Sequence, residues 1–280
     1  MQKDNLYFLG LPAWGFPAWS RRFFNDTPSR LANYAHVFNT VEGNTTFYRI
    51  PDEPTVARWK EAVSSRPFRF CFKLPREVTH ERFPDLHSLE KFLHVIEPLE
   101  DHLAPLLVQL PATVGPDDLF KFEQVFGLVS ERYRFAIEVR HLDFFHEPEL
   151  LDKIYDDYGG GRVMLDSRPL YFGDRNHPEV TKALHVKPDV PVVAESRNRI
   201  ALIRLILHPD LISNGPYMEE WATHVSEFLR DEVETYMMIH CPNNLHCPTL
   251  ALEFHNLLRE KTSLDPLPPW PIPAEQHSLF

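Results

Sequence analysis

Eight short apolar runs, each followed by a stretch of helical spacing, leave this chain few ways to fold. The runs are Leu6–Leu11, Val37–Val41, Phe68–Lys73, Leu106–Leu110, Phe135–Val139, Arg162–Leu165, Ile200–Leu207 and Tyr236–His240. Runs this short, bounded by turn residues, read as strands covered on both faces, as in parallel sheets. The helices between them show in their spacing: Leu31, Tyr34 and Ala35, with no helix expected before Pro28; Val56, Trp59, Ala62 and Val63 behind Pro54; and Leu89, Phe92, Leu93 and Ile96. Pro116-Asp117-Asp118 opens the next, with acids placed to complement the helix dipole. Glu149–Tyr158 stops at three glycines, Tyr217–Leu229 turns Trp221, Val225 and Phe228 inward, and Pro248–Leu258 completes the cycle. Such alternation predicts an α/β fold of the TIM (β/α)8 barrel type, a single domain over 1–280. A proline-rich tail, 266–280, is expected to be extended, and the long connection 167–199 to be functional or irregular.

The formal charge of −11, from 29 basic and 40 acidic residues, argues against a surface built for extended nucleic-acid binding or an anionic membrane. No apolar run reaches the roughly 20 residues that span a bilayer, and no secretory signal opens the chain. A cytoplasmic protein is expected. Three cysteines, Cys71, Cys241 and Cys247, fit a reducing compartment.

In barrels of this type the C-terminal strand ends carry the chemistry, and alternate strand residues share a face. The second strand runs into Glu42-Gly43-Asn44-Thr45-Thr46, so Phe38, Thr40, Glu42 and Asn44 fall together. Ala136, Glu138 and Arg140 form another set, and Cys71 with Lys73, Leu107 with Gln109, Met164 with Asp166, Leu202 with Arg204, and Met238 with His240 complete it. Pointing inward, these ends make a polar ring of Glu42, Lys73, Gln109, Glu138, Asp166, Arg204 and His240, with Gly10 leaving space on the first strand. The ring is either a ligand site or a set of buried ion pairs that satisfy one another. The aromatic first loop, Trp14, Phe16 and Trp19, is expected to pack over the barrel rim.

Other chemical signals are sparse. His240-Cys241 and His246-Cys247 lack a four-ligand metal spacing, and His80, His141 and His208 stand alone on predicted loops. There is no phosphate loop, nucleophile elbow or zinc helix. No metal and no cofactor are expected.

The segments VEGNTTFY, FRFCFKLP, LLVQLPATVGP, AIEVRHLDFF, LDSRP and IRL occur here in that order. Together they resemble the YecE-like family, the domain of unknown function seventy-two, from GLPAWGFPAW to the terminal HSLF. The resemblance implies a TIM barrel and no established reaction. Its motifs mark Glu42, Asn44, Thr46, Phe47, Tyr48, Lys73, Gln109, Glu138, Arg140, Asp166 and Arg204. The chain departs from the family pattern at Arg204-Leu205-Ile206-Leu207-His208, at Pro242-Asn243-Asn244 and at Gly10-Leu11-Pro12-Ala13-Trp14, so no role carries over to His208 or Asn243.

The function expected is an enzyme acting on a small polar or anionic ligand by acid/base chemistry, with a hydrolase, lyase or isomerase as the reaction class. Glu42, Glu138 or Asp166 would move the proton, and Asn44, Tyr48, Lys73, Gln109, Arg140, Arg204 and His240 would bind, with Lys73 and Arg204 carrying much of the affinity. A carboxylate pair across the barrel also raises glycoside cleavage. The alternatives are a metal-dependent nuclease- or isomerase-like barrel and a non-catalytic ligand-binding protein.

Overall fold

The computed structural model describes residues 6–20, 22–25 and 29–271. Each of the eight expected strands is present, and a helix follows each: β1 Tyr7–Leu11, α1 Arg30–Val37, β2 Thr40–Gly43, α2 Glu53–Val63, β3 Arg69–Phe72, α3 Leu86–Ile96, β4 Leu106–Gln109 and α4 Glu123–Ser130. The second half continues with β5 Phe135–Glu138, α5 Glu149–Tyr158, β6 Gly161–Asp166, α6 Pro178–Leu184, β7 Ile200–Ile206, α7 Gly215–Arg230, β8 Glu234–His240 and α8 Cys247–Lys261. All neighbours run parallel, in the order β3-β2-β1-β8-β7-β6-β5-β4. The sheet curls until its edges meet. There β3 and β4 are joined by isolated bridges, Phe70 with Leu103 and Lys73 with Leu107, rather than by a full ladder. The result is a nearly closed (β/α)8 barrel.

Alternation along the strands sorts the core into two layers. Phe8, Cys71, Leu107, Ala136, Val163 and Leu202 fill the barrel. Phe70, Phe72, Val108, Ile137, Met164 and Leu205 face outward against the helices. Each such large side chain taken fully out of water contributes roughly 1.5–3 kcal/mol, which makes the outer layer the main stabilising term. Below the inner layer, Glu234 pairs with Arg69 and Arg134 and seals the N-terminal end.

Several boundaries differ from expectation. Val37 ends α1 instead of starting β2, because the helical face Leu31, Tyr34, Ala35 continues through it, and Phe38 caps that helix with its N–H on the Tyr34 carbonyl. Phe38 therefore lies in the outer core and not on the inward face of β2. Asn39 bridges the gap: its side chain accepts from Leu9 N–H at 2.7 Å and donates to the Tyr7 carbonyl at 2.8 Å, standing in for a strand partner. Pro116–Phe122 forms 3-10 turns before α4. Gly10 leaves no ligand space, since a Cβ there would lie 2.3 Å from the Thr40 carbonyl oxygen; the glycine serves the close approach of β1 and β2. The first-loop aromatics pack as expected, with Trp14 edge-on to Trp59 at 5.4 Å and Trp19 buried. In the tail, 266–271 lacks regular structure and sets Trp270 against Phe23, Phe24 and Phe38. Residues 272–280, and the expectation placed on Pro28, lie outside the described residues.

The connection 167–199 carries a short helix, Arg168–Phe172, and α6. Leu170, Val180, Ala183 and Val190 from this connection pack on Leu165 and Ile206, the last inward residues of β6 and β7. It forms a cap over that side of the barrel mouth.

Candidate functional site

Register defines the uppermost inward layer. In a parallel sheet, aligned residues share a face, and Gln109 aligns with Glu138, Leu165 with Arg204, and Glu42 with the inward Cys71. The polar members are Glu42, Lys73, Gln109, Glu138, Arg204 and His240, none more than 8% exposed. Arg204 is the hub. Its Nε and Nη2 donate to the two oxygens of Glu42 at 2.7 and 2.9 Å, and its Nη1 donates to Glu138. Glu42 also accepts from Asn44 Nδ2 at 2.9 Å and lies 3.0 Å from His240 Nε2. Glu138 further accepts from Gln109 Nε2 at 2.6 Å and Arg140 Nε at 2.8 Å. Lys73 Nζ donates to Gln109 Oε1 and sits 3.5 Å over the Phe47 ring. Thr46 secures this corner by sharing its hydroxyl proton between the carbonyls of Gly43 and Lys73.

These contacts set the protonation states. Burial alone would raise both carboxyls, but the Arg204 charge and hydrogen bonds reverse it: Glu42 is held well below the usual carboxylate range, and Glu138, with Arg140 beside it, falls to about 2. Burial pulls Lys73 down to about 7, with Arg204 and Arg140 adding to the effect and Glu138 opposing it. Burial likewise lowers His240 despite Glu42, leaving a neutral ring that donates from Nε2 to the carboxylate.

Asp166 does not join the layer. It aligns with Leu205, an outward residue, and its carboxylate is taken by Trp221 Nε1 at 2.8 Å and by the Arg168 guanidinium, so Leu165 holds the inward place on β6. The strand ends one residue past its inward position, and a polar end is no guide to the inner face there. Tyr48 is also outside: it is 76% exposed and lines an open cleft of about 720 Å3 with Arg49, Glu77 and Lys91. His208 is consumed structurally, its ring held between the Asp210 N–H and the Asp174 carbonyl.

Two residues are additional. Lys187, on the cap, is mostly buried in the field of Arg204, Glu42, Glu138 and Arg140, and burial lowers its pKa. Strand alternation could not find it, because it lies on no strand; the one signal was the length of the connection. His80 stands edge-on to Phe47 at 4.8 Å and is lowered to about 4 by burial and then by Lys73 and Arg140. Among the described residues no group of three or more His, Cys, Asp or Glu converges to hold a metal ion, and no helix is long and apolar enough to cross a membrane.

Comparison with known proteins adds a lineage. The family described as "Protein of unknown function DUF72" matches residues 8–275. UPF0759 protein YecE of Escherichia coli K12 is 32% identical over 282 residues, covering 98% of this chain and 100% of that protein, and the protein of the same name from strain O157:H7 is 31% identical over the same shares. A crystal structure of a DUF72 family protein from Enterococcus faecalis V583 superposes with a TM-score of 0.69 at 19% identity, over 94% of this chain and 98% of that one. One from Thermotoga maritima MSB8 gives 0.65 at 20% identity, over 91% and 99%. At such identities the structures speak for the barrel alone, while the full-length match and the relatives above 30% identity speak for descent: the chain belongs to the DUF72, or UPF0759, family.

Proposed function

We propose that the barrel mouth holds a small polar anion and that the protein is an enzyme in which Lys73 carries the proton. One observation supports this reading above others, the charge balance of the site. With Asp166 turned away, two carboxylates, Glu42 and Glu138, face four basic residues, Arg204, Arg140, Lys73 and Lys187. Both carboxylates are engaged by Arg204, and the polar partner of Lys73 is the neutral amide of Gln109. An anion between Lys73, Arg140 and Lys187 offsets the excess through charge-assisted hydrogen bonds.

The protonation states favour Lys73 for acid/base work. A group with a pKa of about 7 gives and takes a proton readily at neutral pH, whereas a carboxylate at about 2 is a weak base and is never the acid there. Glu42 and Glu138 act by fixing Arg204. The same ionisation disfavours glycoside cleavage, which needs one protonated carboxyl.

The reading predicts proton uptake. At pH 8 Lys73 is mostly neutral, and a bound anion raises its pKa, so binding draws a proton from the buffer. Calorimetry with phosphate and small carboxylates at pH 8, in two buffers of different ionisation enthalpy, is expected to show uptake in the wild type and less in Lys73→Met, where Lys187 is the one lysine of the site left with a lowered pKa. A wild type that binds none of these anions overturns the proposal.

A further inference from the structure

Among the described residues, the large hydrophobic side chains most open to water all lie on one face of the barrel. They occur after every strand from β2, with Tyr48, to β7, with Ile212, on the face that carries the polar layer. Single exposed apolar residues are ordinary, but their confinement to the rim of a cationic mouth points to a ligand with an apolar part.

The geometry gives that part a place. Lys73 lies over Phe47, Phe47 meets His80, and His80 lines a cleft of about 250 Å3 between the segments after β3 and β4. Pro111, Val114 and Phe122 also line it. Lys121, a further lining residue, lies 5.5 Å from the centre of the Phe83 ring and 5.7 Å from that of Phe120, and these rings are 61% and 66% exposed. Four lining residues are charged, Glu81, Arg82, Asp118 and Lys121, and they balance, with Asp118 paired to Lys121; the exposed rings of Phe83 and Phe120 beside Lys121 supply the flat apolar surface at its edge.

We infer that the anion held at Lys73 is borne on a planar aromatic group, which occupies this cleft beside Phe83 and Phe120. The inference rests on the proposed anion site and names its substrate class. Flat rings favour offset or edge contacts with an aromatic guest, whose area a bare anion lacks.

Calorimetry with two matched pairs, methyl and phenyl phosphate, and acetate and phenylacetate, separates the possibilities. The aromatic member of at least one pair is expected to bind about tenfold tighter than its partner. In a Phe83→Ser, Phe120→Ser variant this advantage falls to about twofold while the small anion binds as before; Ile212→Ser, across the rim, keeps it. If small anions bind and the aromatic ones bind no tighter, or if the advantage survives the double substitution, the inference fails and the anion site stands. If no anion binds the wild type, both fail.

Discussion

Arg204 and Lys73 look alike in the sequence, each a cation closing the inward face of a strand, yet their surroundings assign them different work. Every nitrogen of the Arg204 guanidinium already serves a buried carboxylate. Arg204→Ala would leave Glu42 without a cationic partner and Glu138 with Arg140 alone, and urea unfolding is expected to show a loss of roughly 3–5 kcal/mol. Lys73→Met leaves the neutral Gln109 amide behind and keeps an apolar stem over Phe47, so its cost is expected to stay within about 1 kcal/mol. A large loss in both would make the layer scaffold only. Lys73 also sets a pH dependence. Its folded pKa of about 7 lies below the ordinary 10.5, so between these values the unfolded chain binds the extra proton and stability rises with pH. The wild type is expected to gain stability from pH 7 to 10 more steeply than Lys73→Met, and equal slopes would contradict the lowered pKa. Strand alternation alone found Glu42, Lys73, Gln109, Glu138, Arg204 and His240, because a period of two survives small errors of boundary. It failed at Asp166, where Trp221, a partner 55 residues away, decides the face, and it had no hold on Lys187.

Strands and helices were legible wherever apolar spacing ran unbroken, as in β3, where Phe70 and Phe72 face outward as the alternation implies. The start of β2 was not, since Val37 suits a helix end and a strand start equally and only the Asn39 bridge to β1 separates them. The cap was visible as a long, proline-broken connection, but its purpose needs the packing of Leu170, Val180 and Val190 on the top of β6 and β7. That cluster is small and separate from the main core, so the cap can open by itself. Leu170→Ala removes a fully buried side chain from it, worth roughly 2–5 kcal/mol. Hydrogen exchange is expected to show lost protection between residues 168 and 190, with β7 and β8 unchanged. Loss spread evenly over the barrel would mean that the cap folds as one with it.

At the scale of the molecule, a chain of net charge −11 gathers basic side chains at the mouth of its barrel. The sequence announced the acid excess and hid the local reversal, which depends on side chains from four separate segments. The barrel itself was foreseeable from its alternation, but the uneven join between β3 and β4 was not, as pairing strength leaves no trace in apolar spacing. Seven junctions in the cylinder are ladders, and the eighth is a clasp, with the Leu74 N–H on Leu107 at 3.1 Å and the Ala104 N–H on Phe70 at 3.0 Å. Lys73 belongs to one side of that clasp and Gln109 to the other. Breathing of the cylinder is expected to concentrate at this join, and an anion held as proposed by Lys73 and Arg140 would act as a rivet across it. The amides of Leu74 and Ala104 are expected to exchange faster than those of β7 in the free protein and to slow when phosphate or a carboxylate binds; unchanged rates would mean that the clasp and the site move independently.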